Sequence, residues 1–371
     1  MNGRLVIRAP NHLGDLVMAL PALAEEPEAD VLVARGLVPL LELVPGRGGA
    51  PGAGGPTVAA GAATHGFADV GMDGAKAAVG ARRVIPFDRG WRGVVQAAAA
   101  LRRGRYGRGV LLTPSFSSAL VFALGGVRDR RGTATDGRRM LLTDPVEPDT
   151  LAGLHRAAAY VALVTGRAPD RVPEPRLEVP AALRERWREI AGLADGPVVG
   201  IFPGGNASSR RWDADRYREV VGRLTREGVR VVVFGGPSER DLAAAVAGDV
   251  ALNVAGRTAL PLLAAGLEAC DLLVTNDTGP MHLAAAVGTP TVSLWGAGDP
   301  AETRPLGEGH VLLRRSDLPC VPCVRNECPR RGPGYVLPEA ERECLRLIEV
   351  ADVIAAIESR GVRVEKERGD G

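Results

Sequence analysis

The chain has 371 residues, 46% of them apolar but only 4% aromatic, and a formal net charge of +2. That length suits two ordinary domains, and the near balance of charge excludes a protein that binds nucleic acid through bulk positive charge. With so few aromatic side chains, the core must be built from Ala, Val and Leu, as in parallel α/β sheets.

The opening residues 1–8 are interrupted too early for a signal peptide, and no run reaches the roughly 18 apolar residues of a membrane span. We therefore expect a cytoplasmic protein whose cysteines are reduced thiols or metal ligands. Residues 4–8 read as a first strand, 9–15 as a loop, 16–25 as a helix containing Pro21, and 31–33 as a second strand. The loop thus sits at a strand's carboxyl end, where open α/β sheets bind ligands. Residues 46–81 are rich in Gly and Ala and lack apolar periodicity, so they predict a flexible insertion or long surface loop. Strands at 83–86 and 110–113 and helices at 91–103, 119–124 and 154–165 complete the first half. Residues 166–180 hold four prolines and no helical period, which sets a domain boundary near residue 170.

The second half opens with a helix over 181–191. Strands at 198–202, 229–234, 252–254, 272–275 and 291–294 then alternate with helices at 214–227, 238–247, 259–269 and 281–287. That alternation predicts a second parallel sheet. The expected fold is α/β, with two Rossmann-like domains, 1–170 and 171–371.

Each loop that could carry chemistry follows a strand. Leu272 to Ala286 reads as strand, tight turn and helix, with cap-type Asp277 and Thr278 and with Gly279 permitting close approach. A helix start offers free N–H groups and a positive dipole end to a phosphate; an ordinary capped helix reads equally well. The loop Gly204-Gly205-Asn206-Ala207-Ser208-Ser209-Arg210-Arg211 can wrap a diphosphate with amides and guanidinium groups, or be a glycine turn beside solvated arginines. Gly236 and Glu239 follow the next strand, where the carboxylate can accept ribose hydroxyls or simply start a helix. No P-loop and no G-x-G-x-x-G after either first strand is present, which argues against kinase-type and NAD-type sites. Asp15 reads as a helix cap or as a general base in an interdomain cleft, with position alone favouring the cap. His12 can assist there or bond a carbonyl, and His282 can reach a phosphate or pack in the core. Cys320, Cys323, Cys328 and Cys344 carry a C-x-x-C spacing and enough thiols for a structural tetrahedral zinc, although they can equally stay free.

Taken together, Asn11-His12-Leu13-Gly14-Asp15 with Pro21, Pro114-Ser115-Phe116-Ser117-Ser118, the Gly204-Gly205 loop before Arg210-x-Trp212, Gly235-Gly236-Pro237-x-Glu239 and Asn276-Asp277-Thr278-Gly279-x-x-His282 resemble glycosyltransferase family 9, the heptosyltransferases. The resemblance implies a GT-B fold and inverting sugar transfer with no cofactor required for catalysis. It implies that Asp15 is the base and that Arg210 stabilises the leaving diphosphate. The donor, ADP-heptose, would be held by Gly204, Gly205, Asn206, Ser208, Arg211, Gly236, Glu239, Asp277, Thr278, Gly279 and His282. The acceptor would meet His12, Ser115 and Ser117 in the first domain. By the same resemblance it is an acidic glycolipid, the lipopolysaccharide inner core, at the inner face of the cytoplasmic membrane. Arg8, Arg128, Arg130, Arg131, Arg138 and Arg139 are candidates to attract it. The chain departs from the family in having Arg210 where Lys is common and Asp213 where Pro usually follows the Trp. Two other readings fit the residues: a related transferase with another acceptor or sugar, and a non-catalytic, zinc-stabilised nucleotide-binding protein.

Overall fold

The structure is a computed structural model that describes residues 3–45, 83–192, 196–328 and 342–362. The expected insertion at 46–81 lies outside these residues, as does the stretch 329–341 between Cys328 and Cys344. In the first half the described elements run β1 (Leu5–Arg8), α1 (Leu13–Ala24), β2 (Asp30–Ala34), α2 (Val38–Leu41), β3 (Val84–Phe87), α3 (Trp91–Gly104), β4 (Arg108–Leu111), α4 (Phe116–Leu124), β5 (Asp129–Thr133), β6 (Asp144–Val146) and α5 (Arg156–Thr165). The six strands form one parallel sheet in the order β3-β2-β1-β4-β5-β6. The second half runs α6 (Ala181–Ala191), β7 (Val198–Phe202), α7 (Ala214–Arg226), β8 (Arg230–Val233), α8 (Arg240–Ala247), β9 (Leu252–Asn253), α9 (Leu260–Glu268), β10 (Leu272–Asn276), α10 (Gly279–Ala286), β11 (Thr291–Trp295), α11 (Pro300–Thr303), β12 (Val311–Arg314), α12 (Glu343–Arg346) and α13 (Val350–Glu358). Its sheet is also parallel, in the order β12-β11-β10-β7-β8-β9.

The central strands β1, β2, β7, β10 and β11 are buried along their whole length, so their apolar residues face both sides of the sheet instead of alternating with solvent-facing ones. Strands β5 and β6 carry Asp129-Arg130-Arg131-Gly132-Thr133 and Asp144-Pro145-Val146 and have no such run. Side-chain bonds support them instead: Arg131 pairs with Asp144 at 2.5 Å, and Arg130 Nε donates to the Leu141 carbonyl at 2.6 Å. These two strands therefore have no apolar signature in the sequence, whereas the edge strand β12 carries the short apolar run Val311-Leu312-Leu313. Helices α3 and α4 pack side by side over the core that holds Val6, Leu32 and Leu111. Helices α1 and α5 pack together over the core that holds Leu5 and Ile7. The two sets of helices lie on opposite faces of the first sheet, because successive residues of β1 point to opposite sides.

The halves meet through α1 and α10, and Leu16 and Val17 share one core with Leu283 and Ala284. The proline-rich linker ties both halves down. Glu178 N donates to the Leu43 carbonyl at 2.7 Å, and Leu177 N donates to the Ala286 carbonyl at 2.9 Å. Helix α1 begins at Leu13, three residues earlier than its apolar pattern suggested, so Asp15 stands in its first turn and His12 holds the cap position without a side-chain cap bond. Gly14 and Gly279 let the two helix starts touch. A Cβ on Gly14 would lie 2.8 Å from His282 Cδ2 and 3.2 Å from Gly279 Cα, and one on Gly279 would lie 3.1 Å from the Gly14 nitrogen.

Forcing a side chain into that contact must separate the helix starts. Gly14→Val is expected to cost about 1–3 kcal/mol by overpacking. Thermal and denaturant unfolding should show this loss, whereas Gly222→Ala, with open space around its Cβ position, should show none.

Candidate active site

A cleft of about 2150 Å³ separates the carboxyl ends of the two sheets. The first domain contributes His12, Gly14 and Asp15 from the start of α1, with Arg35, Arg83 and Asp88 beyond them. The second contributes Gly205, Asn206 and Arg210, then Gly236 and Glu239, and finally Asp277, Thr278, Gly279 and His282. Residues from several separate segments of both domains thus line one space. Of the site residues expected from sequence, Gly204, Ser208, Arg211, Ser115 and Ser117 are not on its wall.

The phosphate-type loop is fixed by one buried amide. Asn276, at the end of β10, donates from Nδ2 to the carbonyls of Pro203 at 2.8 Å and Gly204 at 3.0 Å. Its Oδ1 accepts from Trp212 N and Tyr217 OH, both at 3.0 Å. All the ordinary hydrogen-bonding capacity of that side chain is used, so the loop's path is tightly determined. Glu239 adds a second clasp by accepting Gly205 N on Oε1 and Gly236 N on Oε2, each at 2.7 Å. The carboxylate fills the place a Cβ of Gly204 would need. Glu239 therefore joins two loops, and each oxygen keeps one lone pair for a ligand hydroxyl. Arg211 Nε donates to the Gly205 carbonyl at 2.6 Å, which makes it a brace of the loop rather than a partner to Arg210.

Arg210 reaches the turn after β10. Its Nη1 lies 3.0 Å from Asp277 Oδ2, an ion pair that holds the guanidinium beside the start of α10. Arg210 Nε has no hydrogen-bond partner among the described residues, a buried donor suited to a phosphate oxygen. Burial raises the Asp277 carboxyl to about 6, against the pull of Arg210. Thr278 occupies the cap position of α10, but its hydroxyl does not cap the helix. Its Oγ1 instead lies 3.3 Å from Thr275 Oγ1. His282 is driven down to about 3, first by burial and then by the charges of His155, His310 and Arg156, so it lines the cleft as a neutral ring.

Across the gap, Asp15 is held by groups with no motif of their own. Tyr160 OH donates to Asp15 Oδ1 at 3.3 Å, and Arg156 Nη1 lies 3.8 Å from the same oxygen. Arg156 also bonds Glu302 of the second domain at 3.0 Å, and the neighbouring His155 Nε2 lies 3.0 Å from the Arg304 carbonyl. Helix α5 thus links the carboxylate to the opposite domain. Asp15 is the third residue of α1, not its cap.

Most of the arginines expected to attract an acceptor are engaged in the fold. Arg8 is buried over the Phe87 ring and donates to Asn11 Oδ1 at 2.6 Å. Arg138 is fully buried and bonds the Thr113 and Thr133 carbonyls, while Arg139 pairs with Glu147. Ser115 caps α4 through its hydroxyl, and Ser117 Oγ lies 3.3 Å from Ser115 Oγ. At the cysteine cluster the Cys344 thiol is pushed up to about 11, by burial first and then by Cys320, Cys328 and Cys323. Among the described residues no group of three or more His, Cys, Asp or Glu side chains is arranged to hold a metal.

Two Rossmann-like domains facing across such a cleft define a GT-B glycosyltransferase. The sequence model of glycosyltransferase family 9 (heptosyltransferase) matches residues 94–332, and the chain belongs to that family. It is 32% identical over 232 residues to lipopolysaccharide heptosyltransferase 2 of Escherichia coli K12, covering 58% of this chain and 67% of that protein. The fold is similar to that of E. coli ADP-heptose lps heptosyltransferase II, with a TM-score of 0.73, 23% identity and coverage of 96% and 98% of the two chains. It is likewise similar to the family 9 glycosyl transferase of Veillonella parvula, with a TM-score of 0.73, 20% identity and coverage of 97% and 98%.

A carboxyl whose folded pKa is raised binds its proton more readily in the folded chain than in the unfolded one. Asp277 should therefore lower stability progressively as pH rises from about 4 to about 6. The whole effect is about 3 kcal/mol. Denaturant unfolding of the native chain and of Asp277→Asn should diverge over this range, with the native chain losing ground as pH rises.

Proposed function

We propose that the protein transfers heptose from ADP-heptose to a hydroxyl of the lipopolysaccharide inner core with inversion at the anomeric carbon. The observation that carries this reading is the placement of Asp15 and of the Arg210–Gly279 seat on opposite walls of one cleft, joined at the Gly14–Gly279 contact. The ADP diphosphate sits at the start of α10, where Arg210 and the helix dipole favour anionic charge. The nucleoside lies along the walls formed by Gly235, Gly236, Pro237 and the 256–261 segment. His12 and Arg83 offer polar and basic groups to the acceptor on the first-domain wall.

In the transfer step the acceptor oxygen bonds to the anomeric carbon from the face opposite the diphosphate. Its proton passes to the Asp15 carboxylate, and the bond from the anomeric carbon to the phosphate oxygen breaks. ADP leaves with its added charge held by Arg210 and the first turn of α10. Tyr160 and Arg156 position Asp15 for that proton. The acceptor is carried by the inner face of the cytoplasmic membrane, where the protein docks peripherally; no helix among the described residues is long and apolar enough to cross a membrane.

Asp15→Asn keeps the shape and removes the base. Its kcat is expected to fall by about 10²–10⁴ while ADP affinity stays unchanged. Turnover of ADP-heptose with a heptosylated lipid A acceptor, together with ADP titration, checks both parts. Unchanged turnover would remove Asp15 from the mechanism, and no transfer by the native chain to any inner-core acceptor would overturn the substrate assignment.

The four thiols support a second, structural element of the proposal, in which Cys320, Cys323, Cys328 and Cys344 hold a zinc ion. The C-x-x-C spacing and the total of four thiols support this reading, which requires the side chains to draw closer around the ion than in the arrangement described above. Elemental analysis of the purified protein should find one zinc per chain, and Cys320→Ser together with Cys323→Ser should lose it. Metal-free protein with unchanged stability would contradict it.

A further inference from the structure

The outer side of the first domain carries apolar side chains that the fold does not use. Trp91 is 73% exposed, Val95 54% and Leu124 51%. Trp187, Trp212 and Trp295 are all buried, so Trp91 stands apart from every other tryptophan of the chain. Trp91, Val95 and Ala99 follow one another at helical spacing on the solvent side of α3, and Phe116, Leu120 and Leu124 do the same on α4. The two helices pack side by side, so these stripes belong to one face. The core below takes Ala97, Leu101, Ala119 and Phe122 from the opposite sides of the same helices.

The charges within the two helices have one sign, and all of them lie on α3. Helix α3 contains Arg92, Arg102 and Arg103, all exposed, and no acidic residue; α4 contains no charged residue. The Arg92 guanidinium lies 6.0 Å from the centre of the Trp91 ring. Nearby carboxylates are already engaged: Asp88 pairs with Arg35 at 2.8 Å, and Asp136 accepts the Phe116 N–H at 2.6 Å. Apolar side chains including a Trp, accompanied on α3 by three exposed arginines, match the chemistry of an anionic lipid surface, where the rings enter the headgroup region and the guanidinium groups meet phosphates.

Position gives the face its purpose. In β–α–β units of a parallel sheet, each helix starts at the carboxyl edge of the sheet, and that is the edge on which the cleft lies. Trp91 follows Asp88, a cleft residue, by three positions. We infer that α3 and α4 form a docking face for anionic bilayers, which brings the mouth of the cleft to the headgroup plane and a lipid-borne acceptor within reach of it. This rests on the reading of a glycolipid acceptor given above. Vesicle binding needs no sugar donor, however, so failure of one does not entail failure of the other.

The test is sedimentation of the full-length chain with vesicles of pure phosphatidylcholine and with vesicles containing phosphatidylglycerol. Binding should require phosphatidylglycerol and weaken with salt. Brominated lipid should quench the emission of Trp91. The triple variant Arg92→Gln, Arg102→Gln, Arg103→Gln should bind about 100-fold more weakly. Trp91→Ser with Val95→Ser and Leu124→Ser should also lose binding. Both variants should keep the native circular dichroism and native turnover with a lipid-free acceptor. Absence of binding to phosphatidylglycerol, native-like binding by either variant, or a dimer that buries this face in place of vesicle binding would overturn the inference. So would loss of turnover on the lipid-free acceptor by folded variants.

Discussion

Everything functional in this molecule depends on two glycines in contact. Gly14 stands second in the first helix of one domain and Gly279 opens the pocket helix of the other, and a Cβ on either would crowd the opposite helix start. Their approach sets the separation between a carboxylate in the first turn of α1 and a phosphate seat at the start of α10. A shared apolar core behind the contact, from Leu16 and Val17 to Leu283 and Ala284, keeps the helix starts together. The spacing of the reacting groups is thus set by packing, which tolerates little change in volume.

A rigid second-domain wall builds on that contact. Asn276 spends its whole amide on the loop that follows β7 and on the residues that begin and stabilise α7. Glu239 ties the same loop to the one that follows β8. Polar groups buried this way are costly to leave unpaired, so the network has one satisfied arrangement and holds the cleft wall in advance of any ligand. Arg210 lines the cleft and keeps a buried donor, Nε, that no group among the described residues takes up. The first-domain wall is built differently. Asp15 is steadied by Tyr160 and Arg156, and Arg156 is itself bonded to Glu302 across the domain boundary. The Asp15 carboxylate is therefore tied to how the two domains sit, whereas the Asn276 and Glu239 network lies wholly within the second domain.

Much of this was legible in the sequence. The buried strands β7 and β10 announce themselves as apolar runs, and helix α6 spans the expected 181–191, between Pro180 and Gly192. The motif residues that line the cleft follow from their places at strand ends. Other features had no local signal. Strands β5 and β6 depend on ladder bonds and an Arg131–Asp144 pair, not on apolar periodicity. Tyr160, Arg156 and Glu302 matter through contacts between residues about 145 positions apart. Arg211 Nε braces the Gly205 carbonyl, a contact its motif does not announce, and Arg138 reads like a surface charge but is buried; residue type alone cannot separate such roles.

The central claim is geometric: the sugar lies between a base on one domain and a leaving-group seat on the other. A crystal structure of the chain with an unreactive fluorinated ADP-sugar tests it most directly. The account predicts the diphosphate at the start of α10 within bonding distance of Arg210, with the anomeric carbon turned toward Asp15 on the face away from the phosphate. A nucleotide bound elsewhere, or an Asp15 carboxylate on the same side of the sugar as the diphosphate, would contradict it.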